Sequence, residues 1–537
     1  LLTQAEMDDN FDPLGGATRA LGQAGGWPTL DPRRDAATRK SLIDFLRGNV
    51  ENETVLGGTS ATDLYRNRRH LLGDIVNAQP AYVRASPFSY SASSDPFYFE
   101  FRNSTNGTAG TRKGTVYVAA NDGMLHAIET DPDNNPYYQT ASVSVPDDPS
   151  NDKFTGSLDT NPVTGEGAER WAFIPNLVFP TLKRLAETNY ATNHRFFVDG
   201  SPQIGDVCFG HTTSTPCTSK DNWHTILVGG LNQGGRGYYA LDVTDPDNPK
   251  GLWELKGGTG ATCLTDAEAN GGTFAEDCNI GATFGNPIIV KRPLDGRWVV
   301  LLTSGYNNVS PGDGRGYLYV VDAQTGLILR RMSTGEGNAP NPSGLARINA
   351  WVDDALNNNL ALTVYGGDLL GNMWRFQLDN TATVPRHNVT KLAVVTDPSG
   401  VAQPITVRPE LAQIDNQRVV YFGTGRFLGS TDKASLQRQS IYAIKDTMTG
   451  VSSGSNAFVD MTRSGIDIPG FVKQTLTENT TDTRTVTTIN PVSWTADGGW
   501  FIDLPDGGTG DEAAERVSVD PIIQLGTLVV PSNVPSD

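Results

Sequence analysis

Apolar and polar residues alternate in short runs along the whole chain, and each run is broken by Gly, Asn or Asp. The stretch 353–380 shows the pattern most fully. A polar loop leads into a β-run (Leu362, Thr363, Val364, Tyr365), then a Gly-Gly-Asp turn, then a second β-run (Met373, Trp374, Arg375, Phe376, Gln377, Leu378). Alternation on both sides of a Gly/Asn turn predicts a β-hairpin with one face in a core. The same grammar recurs at 115–130, 224–246, 298–326 and 418–447. A hairpin that cannot bury its own face, repeated along a chain, predicts radial stacking of blades. The expected fold is all-β, a modified β-propeller with loop and short-helix insertions; seven blades are favoured within a range of six to eight. Tyr117, Tyr319, Tyr365 and Tyr421 are expected on strands of different blades, near the propeller core.

The remaining segments fit around these hairpins. Residues 1–63 read as an N-terminal extension and 64–537 as the propeller. The extension holds an extended Gly/Asp/Pro-rich lead-in over 1–34. A helix over 36–47 follows, capped by Asp35, with Leu42, Ile43, Phe45 and Leu46 on its apolar side. The basic cluster opening 64–83 reads as a surface or carboxylate-paired patch, and its tail as a strand joining the first blade. Residues 170–187 start as a strand and become a short helix after Pro180, inserted between blades. Residues 381–417 read as connecting strands, 448–490 as an excursion from the propeller, and 498–532 as its last strands.

Charge narrows the class. Forty-two basic and 60 acidic residues give a net charge of −18, which argues against general nucleic-acid binding, since that needs a cationic footprint. No apolar run reaches the ~20 residues a membrane-spanning helix needs. The opening LLTQAEMDDN has neither a basic n-region nor an apolar h-region, so any signal peptide is expected outside this chain.

The four cysteines form two close pairs, Cys208/Cys217 and Cys263/Cys278. Three connectivities exist for four cysteines, and local pairing closes the shortest loops. Their spacing matches no usual zinc pattern, and His211 is the one histidine nearby. Two disulfides and an oxidising compartment are expected; four free thiols are the alternative.

A family resemblance becomes specific at YRNRRHLLGDIVNAQPAYV, VYVAANDGMLHAI, RWAFIP, FFVDGSPQIGDV, YYALDVTDP, VYGGDLLGNMWRFQL, YFGTGRFLG and GWFIDLP, in that order. From about Ser41 to Pro531 the chain resembles the PilC/PilY family, large proteins of type IV pilus tips. The resemblance implies a C-terminal propeller module, excised from a longer protein. It also implies roles in priming pilus assembly with minor pilins, in favouring extension over retraction, and in adhesion or surface sensing.

Family members often carry a calcium loop of EF-hand spacing before the Val-Tyr-x-Gly-Asp strand. Calcium takes oxygen ligands at alternate loop positions. Here those positions fall on Asp354, Leu356, Asn358, Leu360 (by its carbonyl) and Leu362; the neighbouring register of Asp353, Ala355, Asn357 and Ala361 is no better. Two leucines replace oxygen donors, so the loop is degenerate and reads as a polar inter-strand turn. It is expected to fold without metal, with Leu356 and Leu362 turned inward; calcium through Asp354, Asn358 and Leu360 is the alternative, and no other cofactor is expected. The turns at 131–136 and 245–249 carry Pro and lack an acid at the ninth position, so they read as ordinary turns. Where some members have Arg-Gly-Asp, this chain has Arg47-Gly48-Asn49, without the carboxylate.

Two segments carry partial enzyme signatures. The segment 321–332 resembles one quinoprotein repeat, but no adjacent cysteines occur. Gly450-Val451-Ser452-Ser453-Gly454 fits a nucleophile-elbow pattern, yet no helix is predicted after it. The reading is a non-enzymatic binding module that reaches the extracellular pilus tip or outer cell surface through the periplasm. Its expected partners are minor pilins and a host or abiotic surface. The alternatives are a secreted quinoprotein-like propeller enzyme and a calcium-dependent glycan-binding adhesin.

Overall fold

The computed structural model describes residues 10–15, 20–54, 60–104, 112–130, 167–352, 354–378, 389–448, 459–461, 463, 467–480, 483–488, 490–506 and 514–535. Each of the five hairpins read from sequence is the central pair of strands in a sheet of its own. The first sheet is Ala81–Val83, Thr115–Ala120, Met124–Glu129 and Glu169–Phe173. The second is built on Trp223–Gly230 and Gly237–Asp242, the third on Trp298–Thr303 and Tyr317–Asp322, the fourth on Ala361–Gly367 and Asn372–Gln377, and the fifth on Gln417–Gly423 and Ser440–Asp446. The first four sheets each run their first four strands as an antiparallel meander; in the fifth, three strands do so and Gly499–Asp503 returns later in the chain to pair antiparallel with Ser440–Asp446.

The described residues hold five such sheets and one two-stranded hairpin, Ile522–Gln524 with Thr527–Val529, so the expected seven blades are not met among them. The segments read as connecting strands (381–417) and as an excursion (448–490) extend existing sheets. Val389–Val395 is the fourth strand of the fourth sheet and Glu410–Ile414 the first strand of the fifth. Within the excursion, Val459–Met461 pairs in parallel with Val389–Val395, and Val472–Thr480 pairs in parallel with Gly499–Asp503.

The hairpins of the second, third and fourth sheets bury both faces, not one. In Trp298–Thr303, Val300 and Leu302 join the core shared with the second sheet, while Val299 and Leu301 join the core shared with the fourth. Leu227 and Val228 divide in the same way between the first and third sheets. Because successive side chains point to opposite faces, a strand sandwiched between two sheets reads as a continuous apolar run. Tyr117, Tyr319, Tyr365 and Tyr421 are buried on four different sheets. Tyr319 sits on a third strand and the others on second strands, so the four are not equivalent positions.

Among the described residues two sheet faces have no neighbouring sheet. The outer face of the fifth sheet (Val419, Tyr421, Ala443) is covered by Ile523 and Leu528 of the C-terminal hairpin. The outer face of the first sheet carries Met124, His126 and Ile128, the alternates of Leu125 and Ala127, which pack toward the second sheet. Among the described residues no apolar cluster joins the fifth sheet to the first.

The N-terminal helix spans Arg39–Leu46, shorter than expected, and Thr38 caps it in a capping box with Ser41. Asp35 lies instead in a separate short helix, Pro32–Ala36, capped by Asp31. Leu42, Phe45 and Leu46 are buried, together with Phe11, Leu21 and Trp27 of the lead-in, in the core shared with the first two sheets. The lead-in is therefore packed, with a short helix at Gly22–Gly25. The helix expected after Pro180 begins at Phe179, with Pro180 in its first turn, and ends at Leu182.

Candidate functional site

The degenerate calcium-type loop is a self-contained polar turn. Asp354 accepts hydrogen bonds from the Asn357 backbone at 3.2 Å and from its side-chain amide at 3.0 Å. The Asp354 carbonyl accepts from the backbone N–H groups of Asn358 and Asn359 at 3.0 and 2.9 Å. Backbone carbonyls of Leu356 and Asn357 accept from Ser89 and Ser91 at 2.8 and 3.0 Å. These bonds strap the loop to segment 88–95 and leave the Leu356 side chain 58% exposed. The expectation that Leu356 turns inward is thus corrected; Leu360 and Leu362 are half-buried.

The buried anchor of this loop is Asn359, which the sequence did not single out. Its backbone is left-handed (φ 52°), its side-chain amide donates to the Ile289 carbonyl at 3.0 Å, and its carbonyl accepts from Lys291 at 2.9 Å. Asn tolerates that conformation better than most residues, which was the available signal. Asp353 lies outside the described residues, as do the turn at 131–136 and the Gly450–Gly454 pattern.

Cys208 is disulfide-bonded to Cys217 and Cys263 to Cys278, with Cα separations of 6.4 and 4.7 Å. His211 Nδ1 lies 3.6 Å from Cys217 Sγ. Cys208, His211 and Cys217 are the one grouping among the described residues whose three ligand-type atoms all lie within 4.8 Å of one another, and both sulfurs are committed to the disulfide. Burial pushes the His211 imidazole below its ordinary pKa.

The Gly-Gly-Asp turn is held by Asp368, which is fully buried. Its carboxylate accepts from the backbone N–H groups of Leu370 and Asn372, both at 2.9 Å, and from Trp374 Nε1 at 2.8 Å. Burial raises this carboxyl to about 6 against those hydrogen bonds. Its role is to fix a turn.

A groove of about 730 Å³ lies on the outer face of the first sheet. Met124, His126 and Ile128 form its floor, and Leu46, Leu71 and Leu72 its wall. The hairpin beneath turns at Gly123 (φ 92°), where a Cβ would come 2.3 Å from Leu182 Cδ1. His126 sits between two carboxylates: Nε2 is 3.1 Å from Asp122, and Nδ1 bonds Glu169. Burial opposes its charge, but these two hydrogen bonds outweigh burial and lift the imidazole to about 9. Of the basic cluster at 64–70, Arg68 pairs with Glu53 at 2.6 Å, as a carboxylate-paired patch requires.

Radially stacked four-stranded meanders, with loops and one open groove at their margins, define this molecule as a modified β-propeller. A family model described as the PilY1 beta-propeller domain matches residues 72–488, and the chain belongs to that family. It is 30% identical to the type IV pilus biogenesis factor PilY1 of Pseudomonas aeruginosa (strain PAO1), over 96% of this chain and 42% of that protein. A PilY1 homolog of Xylella fastidiosa is 29% identical over 97% of this chain and 31% of its own length. The chain therefore spans less than half of these curated relatives. A crystal structure of the P. aeruginosa PilY1 C-terminal domain matches with a TM-score of 0.59 at 26% identity, covering 85% of this chain and 83% of that one.

Proposed function

We propose that this chain is a non-enzymatic binding module of a type IV pilus biogenesis factor, supporting pilus assembly and extension and contributing to adhesion. The observation that carries this reading is the family match over 72–488, which takes in the first four sheets whole and five of the six strands of the fifth. Its partners are minor pilins at the pilus tip and a host or abiotic surface. The extracellular location is supported by two disulfides. The mechanism is docking onto a preformed frame: sheets buried on both faces hold loops and groove in place. The loop at 354–362 folds without calcium, because Asp354 is engaged by Asn357.

The test is made in cells carrying the full-length protein. Removing residues 72–488 while the remainder is still exported, as shown by immunoblot, is expected to abolish surface pili and the adhesion that depends on them. Normal piliation in that strain would overturn the reading.

A further inference from the structure

We propose that the open face of the first sheet is a docking groove for an extended segment of a partner protein that presents a carboxylate between apolar side chains. The proposal rests on the docking reading above and specifies where one partner sits and what it must carry.

The first argument is coverage. The faces between successive sheets are filled by apolar clusters, and the outer face of the fifth sheet is covered by the C-terminal hairpin. On the first sheet no apolar cluster covers the corresponding face among the described residues, and the half-buried Met124 and Ile128 line the groove with the more deeply buried His126. Leu71 and Leu72 on its wall are 49% and 46% exposed, and Ile75 and Val76, next along the same segment, are exposed as well. A run of exposed apolar side chains beside a groove marks an interaction surface.

The second argument is charge. In this acidic chain of net charge −18, the groove carries uncompensated positive charge. Arg68 is neutralised by Glu53, while the charged His126 lies between two carboxylates, Asp122 and Glu169, so that trio is negative by one and offsets one of the two remaining arginines. Arg66, which also lines the groove, donates its Nε to the Leu185 carbonyl and stacks over the Tyr190 ring at 4.4 Å. Among the described residues no carboxylate lies within ion-pair distance of Arg66, nor of Arg47 at the rim. Burial accordingly holds the Arg66 guanidinium below its ordinary pKa. A half-buried guanidinium fixed through Nε and a stacked ring presents its two terminal nitrogens as a fork, the geometry that takes a carboxylate bidentately. The apolar wall and floor on either side set the neighbours of that carboxylate.

The probe is a fluorescein-labelled peptide, Gly-Leu-Glu-Leu-Gly with both ends blocked, titrated into the intact chain beside the same peptide with Gln for Glu. The Glu peptide is expected to bind about tenfold more tightly than the Gln peptide, as one charge-assisted pair implies. Arg66→Gln should erase that preference, Arg66→Lys should restore part of it, and Leu72→Ser should weaken both peptides alike. Equal binding of the two peptides, a preference that survives Arg66→Gln, or no binding of either overturns the proposal. So does competition by decanoate as strong as by the Glu peptide, which would make the groove a lipid site. Capture of minor pilins that is unaffected by Arg66→Gln would overturn the groove and leave the docking reading standing.

Discussion

Arg375 of the fourth sheet and Asp446 of the fifth form an ion pair whose side chains are 0% and 1% exposed. The Tyr365 hydroxyl donates to the same carboxylate at 2.7 Å, and Tyr365 and Arg375 are direct cross-strand partners. The arrangement recurs between the third sheet and the second. There Tyr319 and Arg331 face each other across two strands, and both bind Asp277, at 3.0 and 2.5 Å. A Tyr-Arg pair from one sheet thus clasps an Asp from its neighbour at two separate junctions. The apolar faces supply most of the adhesion between sheets, and the clasps fix their register.

Breaking one clasp should be costly. Arg375→Ala leaves Asp446 buried without its counter-charge, and loss of one partner of a buried pair costs about 3–5 kcal/mol. Chemical denaturation of the variant is expected to show that loss. The double variant Arg375→Met with Asp446→Leu should lose less than the sum of the two single changes. Additive losses would show that the pair is not coupled.

The hairpins were legible because alternation, turn residues and inward aromatics are local signals. Residues 362–378 predicted the centre of the fourth sheet to within one or two positions. The clasps were not legible: Tyr365 and Arg375 are close in sequence, but their Asp446 partner is 81 and 71 residues away. The blade count failed for a related reason. Only five hairpins were read from sequence, and the strand Val459–Met461, which lies in the segment read as an excursion, adds in parallel to an existing sheet rather than starting another blade. In the basic cluster, the sequence showed arginines but could not separate Arg68, which meets Glu53, from Arg66, which meets a carbonyl and a ring.

The turn at Asp368 offers a second stability test. Asp368→Ala removes the acceptor for two backbone N–H groups, the Asn372 amide and Trp374 Nε1. Leaving buried donors unsatisfied costs about 1–3 kcal/mol each, so a total loss of roughly 3 kcal/mol is expected after partial relaxation. Thermal melts against Asp368→Asn, which keeps one acceptor oxygen, would order the two variants.

His126 makes a pH-dependent contribution whose sign follows from its raised pKa. Its folded value of about 9 lies above the ordinary 6.5, so the charged imidazole between Asp122 and Glu169 stabilises the fold. That stabilisation is fully present below about pH 6.5 and is lost as pH rises through about 9. The gap in melting temperature between the wild type and His126→Gln is therefore expected to be widest in mild acid and to close in alkali. A gap that widens with pH would contradict the assignment.

Calcium is expected to leave this chain's stability unchanged. Melts in calcium and in chelator should coincide, and Asp354→Ala should shift neither curve by more than its exposed turn warrants, under about 1 kcal/mol. Micromolar binding in a calorimetric titration, abolished by Asp354→Ala, would reassign the loop as a metal site.

The proposed docking of minor pilins by this propeller is open to direct test by equilibrium binding. The intact chain, immobilised with both disulfides formed, would be titrated with purified minor pilins. The account predicts saturable binding that is lost on prior unfolding and unchanged by chelator. No saturable binding of any minor pilin to the folded chain would contradict it.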